Sequence, residues 1–492
     1  MERQIRRMGT GLVIAFLIVF AQLNYVQFFA AERIAGNQAN RRAIIREYSI
    51  KRGDILALTG IPLATSVRVN DPDDPLRYLR TYPEGDLFGH VTGHYSLLYG
   101  TSRIEAAYND ALLGDSGVVS IQDIQDRFTN SEEAGDRVRV TIHPRLQEVA
   151  RAELGANRGA VVALDPNTGE VRAMWSNPPY DPSRLASHSG REQRDAWNDL
   201  NPKSPLTPLL SIATSRGYPP GSTFKVVTAA AALESGRYTP TSRFPDPARL
   251  ELPQTDRTLT NFTNTACTGT GSIDLFHALQ ISCDTTFAKI GLEIHGEIHE
   301  MATSLGFNDT IPFDVGTEAS SFPEIGDDAQ PARAYAGIGQ QDVVATPLQM
   351  ALVAAGIAND GDVPRPRLVR EIIDNSGGIV ERFPPETLSE AMTTETAEQV
   401  TAMMVAAVEA GTGTAAQIPG VPVAGKTGTA QTVEGQDPHT WFICFAPADD
   451  PQLVVAVIVE HGGELGSEAT GGAVAAPIAK ALLEADRAIR RW

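Results

Sequence analysis

The distribution of apolar and polar positions divides the chain into three parts. No charged side chain occurs in residues 8–31, and a helix over this run would be roughly 36 Å long at about 1.5 Å per residue, enough to cross a hydrocarbon core. Arg3, Arg6 and Arg7 precede the run, which orients the N-terminus toward the cytoplasm. The run lacks a clean small-residue cleavage site. Residues 1–31 are therefore predicted to form a retained anchor rather than a cleaved signal peptide, and the rest of the chain is exported in either case.

The second part, residues 32–156, shows short alternations of apolar and polar positions. Residues 51–57 indicate a strand that ends in the turn-forming residues 59–62. Residues 138–142 alternate like a half-buried strand, and residues 144–154 then show helical spacing. This part is predicted to be a small mixed α/β domain.

The third part, residues 157–492, begins with two apolar runs joined by a turn sequence, which predicts a β-hairpin. Helical spacing then dominates, and two short apolar strands and a final helix follow. This order favours an α+β domain in which helices pack on one sheet. The predicted elements are strands at 160–164 and 171–175, helical segments at 222–306 and 347–358, strands at 440–445 and 453–459, and a helix at 472–491.

Length and composition narrow the classes of function. A chain of 492 residues suggests two or three domains. Its 60 acidic and 41 basic residues give a formal charge of −19, which repels phosphates and disfavours a nucleic acid partner. Three cysteines are too few for a disulfide-scaffolded fold. Cys267 and Cys283 form either a disulfide, which an exported location permits, or two free buried thiols, and Cys444 is expected in the core.

The first chemical motif is the S-x-x-K sequence of Ser222 and Lys225, which follows a Pro-Pro-Gly turn and precedes an apolar run. Ser222 is therefore predicted at a helix N-terminus, where backbone N–H groups favour developing negative charge. Lys225 follows one turn later on the same face. An amine that is desolvated in an apolar helix can accept the serine proton. A capping serine beside a solvated lysine would show the same pattern.

The second motif contains Lys426, Thr427, Gly428 and Thr429, and extended residues on both sides predict a strand. Such a strand offers a cation and hydroxyls, and its backbone can pair with an extended peptide, which suits recognition of a substrate carboxylate. Residues 420–427 also match the nucleotide-binding pattern G-x-x-x-x-G-K-[ST]. That pattern requires a helix immediately afterwards, and none is predicted, so the match is interpreted as coincidental.

The third motif, Ser282-Cys283-Asp284, lies between two helix-like segments and is predicted to form a short junction. Alone, it would be interpreted as a helix cap. In this chain S-x-x-K is followed by this triplet and then by K-T-G, which is the motif set of penicillin-binding proteins and class A β-lactamases.

The chain resembles the class B penicillin-binding proteins over most of its length, and in length and layout it is most similar to their actinobacterial PbpA type. The segments that carry the resemblance, besides the three motifs, are 53–64, 103–108, 159–181, 339–349 and 439–447. The family implies an α+β fold with a transmembrane anchor at 1–31, a non-catalytic, dimerisation-like domain at 32–156, and a transpeptidase domain at 157–492 whose central antiparallel sheet is covered by helices.

The resemblance also implies roles for the motif residues. Ser222 would attack the bond between two terminal D-alanines of a peptidoglycan stem peptide, with Lys225 as its base and Ser282 as a proton relay. Lys426, which is placed among the catalytic residues, would bind the substrate carboxylate together with Thr427 and Thr429, and Gly428 is placed among the substrate-binding residues. Backbone N–H groups of Ser222 and Thr429 would form the oxyanion hole. Asp284 is placed among the catalytic residues, although the family usually has Asn there. A protonated carboxyl group and a lysine-paired carboxylate both remain open for it.

Peptidoglycan D,D-transpeptidase activity is the expected function, with acylation by β-lactams. A D,D-carboxypeptidase, a β-lactam hydrolase or a penicillin sensor would use the same serine. The implied partners are stem peptides, their lipid-linked precursor and a membrane-embedded glycan polymerase of the RodA/FtsW kind. The polymerase would be contacted through the anchor and the N-terminal region, and substitution of Arg103 or Glu105 is predicted to impair growth or septation without loss of penicillin binding. The expected location is the cell membrane, with one span and the catalytic domain outside. No metal or organic cofactor is expected.

Overall fold

The computed structural model describes residues 7, 8, 10–12, 14–20, 22, 45, 47–71, 74, 76–114, 134–431 and 436–492. Within these ranges, no helix has the length and apolar character required to cross a membrane. The anchor predicted for residues 1–31 extends outside the described residues.

The strands and helices are numbered in chain order. The strands are β1 Ile55–Leu56, β2 Pro62–Arg68, β3 Tyr78–Thr81, β4 Tyr95–Ser96, β5 Gly100–Thr101, β6 Arg137–Val140, β7 Gly159–Leu164, β8 Val171–Asn177, β9 Arg243–Pro245, β10 Arg249–Glu251, β11 Thr258–Thr260, β12 Ser272–Asp274, β13 Asp362–Pro364, β14 Val369–Ile373, β15 Ile379–Arg382, β16 Thr387–Glu390, β17 Ala424–Ala430, β18 His439–Ala446 and β19 Leu453–Val459. The helices are α1 Gly89–Thr92, α2 Arg103–Ala107, α3 Asn109–Leu113, α4 Pro144–Leu154, α5 Gly190–Asp199, α6 Ile212–Ser215, α7 Lys225–Glu234, α8 Leu275–Gln280, α9 Asp284–Glu293, α10 His295–Ser304, α11 Gln330–Ala336, α12 Pro347–Ala358, α13 Thr394–Ala410 and α14 Gly471–Arg490.

A five-stranded sheet in the order β17-β18-β19-β7-β8 forms the centre of the C-terminal part, and every neighbouring pair is antiparallel. All residues of β18 and β19 are buried, as expected for continuous apolar runs rich in β-branched side chains. Helices α4 and α14 pack on each other and on this sheet, and α12 and α13 also pack on it. The predicted α+β architecture with a helix-covered antiparallel sheet is confirmed.

A six-stranded sheet in the order β15-β14-β6-β1-β2-β3 organises the N-terminal part. Strands β14 and β15 come from far along the chain, and β14 pairs with β6 in antiparallel orientation. The sheet therefore ties the N-terminal part to the segment that follows α12. No local pattern of apolar residues specifies this pairing.

Most elements that were predicted from periodicity are confirmed, including the β7–β8 hairpin, the helices α4, α12 and α14, and the strands β18 and β19. The prediction that helical pattern dominates residues 222–306 is confirmed at α7, α8, α9 and α10, but β9–β12 interrupt it between α7 and α8. These strands are three residues long and form two small antiparallel pairs, β10–β11 and β12–β9. Strands this short carry too few positions for a period-two pattern to appear.

A buried ion cluster fixes the N-terminal part. The Glu105 carboxylate accepts hydrogen bonds from Arg52 Nε and Arg80 Nε, both at 2.6 Å, and one of its oxygens accepts a third from the Tyr82 hydroxyl at 3.1 Å. The Glu105 side chain is 0% exposed, so it cannot contact a partner protein directly. An effect of Glu105 substitution on a partner would therefore be indirect, and Arg103 is also engaged within the chain, donating to Thr214 Oγ1 at 3.3 Å. The expected effect of either substitution on growth or septation stays a prediction.

Candidate active site

The turn that carries Ser222 lies against strand β17. Residues Gly221–Phe224 form a 3₁₀ turn, and the Lys225 N–H donates to the Ser222 carbonyl as helix α7 begins. Gly221 has φ +54°, and a Cβ there would lie 2.9 Å from the Thr429 carbonyl oxygen. This close approach requires glycine. It holds the half-buried Ser222 beside the strand that bears the K-T-G motif, as the sequence predicted.

Lys225 points into the protein from the first turn of the apolar helix α7, and its side chain is 0% exposed. Its Nζ donates to the Ser282 carbonyl at 2.8 Å, to Ser282 Oγ at 3.2 Å and to Asp284 Oδ1 at 2.7 Å. Burial lowers the pKa of Lys225 below its ordinary value, and the Asp284 carboxylate partly offsets this effect.

Lys426 also contacts Ser282. It lies fully buried on β17, and its Nζ contacts Ser282 Oγ at 2.8 Å and the Thr427 carbonyl at 3.0 Å. Burial and then the charge of Lys225 lower the pKa of Lys426 well below its ordinary value, against a smaller opposing effect of Asp284. The Ser282 hydroxyl therefore bridges two amines that are both easier to deprotonate than an exposed lysine.

The junction between α8 and α9 presents Ser282 in the left-handed region, at φ +63°. Cys283 follows and is joined to Cys267 by a disulfide, which confirms one of the two states left open by the sequence. Asn261 Oδ1 accepts the Thr285 N–H at 3.0 Å. The disulfide and this hydrogen bond fasten the catalytic triplet to the loop that precedes β12. Cys444 is buried and free, as expected.

Asp284 is paired with lysine. One carboxylate oxygen contacts Lys225, and the other accepts the Phe262 N–H at 3.1 Å. The Phe262 side chain is 70% exposed, so the loop of residues 261–271 places an accessible aromatic ring close to the triplet. Of the two states considered for Asp284, the geometry selects the lysine-paired carboxylate.

The residues of β17 that follow Lys426 lie next to the turn that carries Ser222. A Cβ on Gly428 would lie 2.9 Å from the Pro220 carbonyl oxygen, so Gly428 is needed for the strand and the turn to meet. The Thr427 hydroxyl is 2.6 Å from the Thr412 hydroxyl, while Thr429 remains half-buried beside the turn. β17 continues to Ala430 as a strand, which confirms that the P-loop match is coincidental.

Two protein-family models match the chain. Residues 159–484 match the family model of the penicillin-binding protein transpeptidase domain, and residues 52–138 match that of the penicillin-binding protein A dimerisation domain. The chain belongs to the penicillin-binding protein family. The peptidoglycan D,D-transpeptidases PbpA of Mycolicibacterium smegmatis and Mycobacterium tuberculosis are 40% and 37% identical to it, each over 99% of both chains.

Solved structures of penicillin-binding protein A from M. tuberculosis share the fold. The ceftriaxone acyl-enzyme complex has a TM-score of 0.85 at 37% identity, covering 90% of this chain and 99% of that one. The penicillin G acyl-enzyme complex has a TM-score of 0.82 at 37% identity, covering 89% and 100%. The family resemblance stated from the sequence motifs is confirmed.

Two supports of this penicillin-binding protein's site were not predicted from the sequence. Trp441 Nε1 donates to the Pro219 carbonyl at 3.0 Å, which links β18 to the segment before Ser222. Thr412, in the loop after α13, contacts Thr427. The only signal for Thr412 was its position between two glycines, which many loops share.

Proposed function

We propose that the protein is a peptidoglycan D,D-transpeptidase. The Ser222 oxygen attacks the carbonyl between two terminal D-alanines of a stem peptide, an acyl-enzyme forms, and D-alanine leaves. An amine of a neighbouring stem then takes the acyl group, and the serine hydroxyl is restored. The observation that carries this proposal is the continuous set of contacts from Lys225 through Ser282 to Lys426. These contacts lie beside the turn that carries Ser222, which packs against β17.

Each residue of the site has a role in this proposal, supported by the contacts of Ser282 with both lysines. Lys225 accepts the Ser222 proton, and Ser282, in contact with both lysines, passes a proton to the leaving amine. The N–H groups of Ser222 and Thr429 stabilise the oxyanion. The substrate carboxylate is bound by Lys426, Thr427 and Thr429, where Gly428 allows the strand to meet the serine turn.

Labelling with fluorescent penicillin tests the nucleophile. We expect a persistent label on the wild type and no label on Ser222→Ala. The matched control is Ser235→Ala, since Ser235 caps the C-terminus of the same helix α7 and its hydroxyl contacts local backbone, donating to the Ala232 carbonyl and accepting the Arg237 N–H. This variant should retain the label. An unlabelled wild type or a labelled Ser222→Ala would refute the assignment. Loss of the label within minutes would instead indicate a hydrolase.

We propose further that residues 1–31 anchor the protein in the cell membrane by a single span, that residues 32–156 form a non-catalytic domain, and that the transpeptidase domain at 157–492 lies outside. The uncharged run of residues 8–31 after three arginines supports this orientation. Protease added to intact spheroplasts should degrade the catalytic domain. Full protection in intact spheroplasts, with degradation after lysis, would contradict the orientation.

A membrane-embedded glycan polymerase of the RodA/FtsW kind is the proposed partner, and the lipid-linked precursor supplies the stems. The N-terminal region exposes apolar side chains that suit such a contact, with Ile61 at 49% and Val67 at 52% exposure. Ile61→Asp and Val67→Asp should weaken co-purification of the polymerase while penicillin labelling persists. Unchanged co-purification in both variants would count against this surface. Glu105 is unsuitable for this test because its substitution would disturb folding.

A further inference from the structure

The active site contains an unusual balance of buried charge. Lys225, Lys426 and Asp284 are the charged groups that face one another there, within the part of the chain that the structure describes. Both lysine side chains are fully buried. One carboxylate can neutralise only one ammonium group, and an unbalanced buried charge is costly. The empty site is therefore expected to hold one ammonium and one neutral amine.

The hydrogen bonds indicate which amine is charged. Lys225 Nζ meets two groups that can only accept, the Asp284 carboxylate at 2.7 Å and the Ser282 carbonyl at 2.8 Å. Lys426 Nζ meets a carbonyl and a hydroxyl, and no carboxylate of the described residues lies within hydrogen-bond distance of it. A carboxylate in direct contact favours the charged form of an amine. The proton of the empty site thus belongs on Lys225, where it prevents Lys225 from acting as a base.

Given the proposed transpeptidase function, we propose that Asp284 is a positioning residue that keeps the site's proton on Lys225 until the carboxylate of an arriving peptide draws it through Ser282 onto Lys426. The substrate carboxylate supplies the second negative charge, and Lys426 becomes the ammonium that binds it. Lys225, which follows Ser222 by one turn at the start of α7, is then a neutral amine. Substrate binding itself therefore prepares the base.

The transfer is balanced and needs no other reactant. Lys225 Nζ gives a proton to Ser282 Oγ over 3.2 Å, and Ser282 gives its own hydroxyl proton to Lys426 Nζ over 2.8 Å. The Ser282 hydroxyl is regenerated, and the net change is one proton moved between the two amines. An asparagine at position 284 would accept from Lys225 without neutralising its charge, so the proton would no longer be held there.

The experiment compares two probes on two proteins. Acylation rate constants are measured for a penicillin with a free carboxylate and for its methyl ester, across the pH range in which the protein stays folded. For the wild type, the ester cannot trigger the transfer, so its acylation should rise with pH as Lys225 loses its proton. In Asp284→Asn this rise should move to lower pH by about one unit, because no carboxylate then favours the charged form of Lys225. At a fixed pH below the rise, the neutral fraction of Lys225 should then be about tenfold larger than in the wild type.

For each protein, the acylation rate constant of the free acid is divided by that of the methyl ester. Simple carboxylate binding contributes equally to this ratio in the wild type and in Asp284→Asn, so a difference between the two ratios reports the proton transfer that the substrate carboxylate induces. This ratio, measured at the same pH, should fall about tenfold in Asp284→Asn. The matched control is Asp246→Asn, which removes a buried carboxylate that holds the backbone of Cys267 and Thr268 and touches neither lysine. Its ester profile should keep the wild-type position even if its stability falls.

The outcomes separate this proposal from the function on which it rests. Superimposable ester profiles for the wild type and Asp284→Asn would overturn the proposal while leaving the transpeptidase intact. Equal acid and ester rates at every pH in the wild type would also overturn it, and that measurement needs no folded variant. Absence of acylation by the free acid in the wild type would refute the proposed function instead.

Discussion

Two buried clusters of ionisable groups in this protein have the same composition, one carboxylate and two basic side chains, but different chemistry. In the N-terminal part Glu105 is bonded directly to Arg52 and Arg80. In the catalytic part Asp284 is bonded to Lys225, and Lys426 is reached only through Ser282. The first carboxylate touches both cations, whereas the second touches only one.

The cations decide what each cluster can do. A guanidinium stays protonated in proteins, whereas a buried ammonium readily loses its proton. Burial alone would raise the pKa of Glu105, but Arg80 and Arg52 lower it below its ordinary value. Burial lowers the pKa of both lysines. The arginine cluster therefore fixes structure with immobile charge, and the lysine cluster keeps a proton that can move.

Exchanging the cations gives the largest expected effect. Lys225→Arg keeps the charge beside Asp284 but removes the base, so acylation by penicillin should fall by about 10³-fold or more, within the range of general-base contributions. Arg80→Lys in the other cluster is the matched control and should leave the acylation rate of the folded protein unchanged. Stopped-flow acylation measurements decide this. Normal acylation by Lys225→Arg would mean that Lys225 is not the base.

Removing the carboxylate of the arginine cluster should cost stability rather than rate. Glu105→Gln leaves two buried guanidinium groups uncompensated, and a loss of about 3–5 kcal/mol in the free energy of unfolding is expected. The control is Glu148→Gln, which breaks the exposed pair with Arg145 and should cost under about 1 kcal/mol. Denaturant titration measures both. Equal costs for the two substitutions would show that burial of the cluster is unimportant.

Acid should weaken the N-terminal part through a group outside either cluster. Burial lowers the pKa of His90, whose Nε2 lies 2.7 Å from the Pro208 carbonyl, to about 4. The unfolded chain binds this proton near its ordinary pKa of about 6.5, so stability is lost as pH falls between these values, by about 3 kcal/mol. His90→Asn should flatten the fall of Tm with acid, while substitution of the exposed His277 should not. An unchanged slope in His90→Asn would exclude His90 as the cause.

The sequence predicted the parts of the fold whose signal is local. Strand β19 and helix α12 are continuous apolar runs, and the structure buries every residue of both. The pairing of β14 with β6 was not predictable, because the two strands are far apart in the chain and either pattern would fit many partners. The same limit applies to Glu105, since a lone glutamate in a helix is usually exposed.

The site was predictable in its members but not in its bonding. Three motifs identified Ser222, Lys225, Ser282 and Lys426. No periodicity specifies that Ser282 takes a positive φ or that Asp284 selects Lys225 over Lys426. Those outcomes depend on how α7, α9 and β17 pack, which is a tertiary property.

Substitution in a neutral hydrogen-bonded pair beside the lysine cluster should have the smallest effect on acylation. It provides a reference for the effects of substitutions in the charged groups. The Thr412 hydroxyl is 2.6 Å from the hydroxyl of Thr427, which is proposed to bind the substrate carboxylate. A hydrogen bond of this kind contributes about 0.5–1.5 kcal/mol. Thr412→Val should therefore slow acylation by a carboxylate-bearing penicillin by roughly three- to tenfold, and Thr412→Ser should restore it. The methyl ester should react with Thr412→Val at the wild-type rate, because it has no carboxylate for Thr427 to bind. Equal slowing of both probes would mean that Thr412 acts on the fold rather than on Thr427.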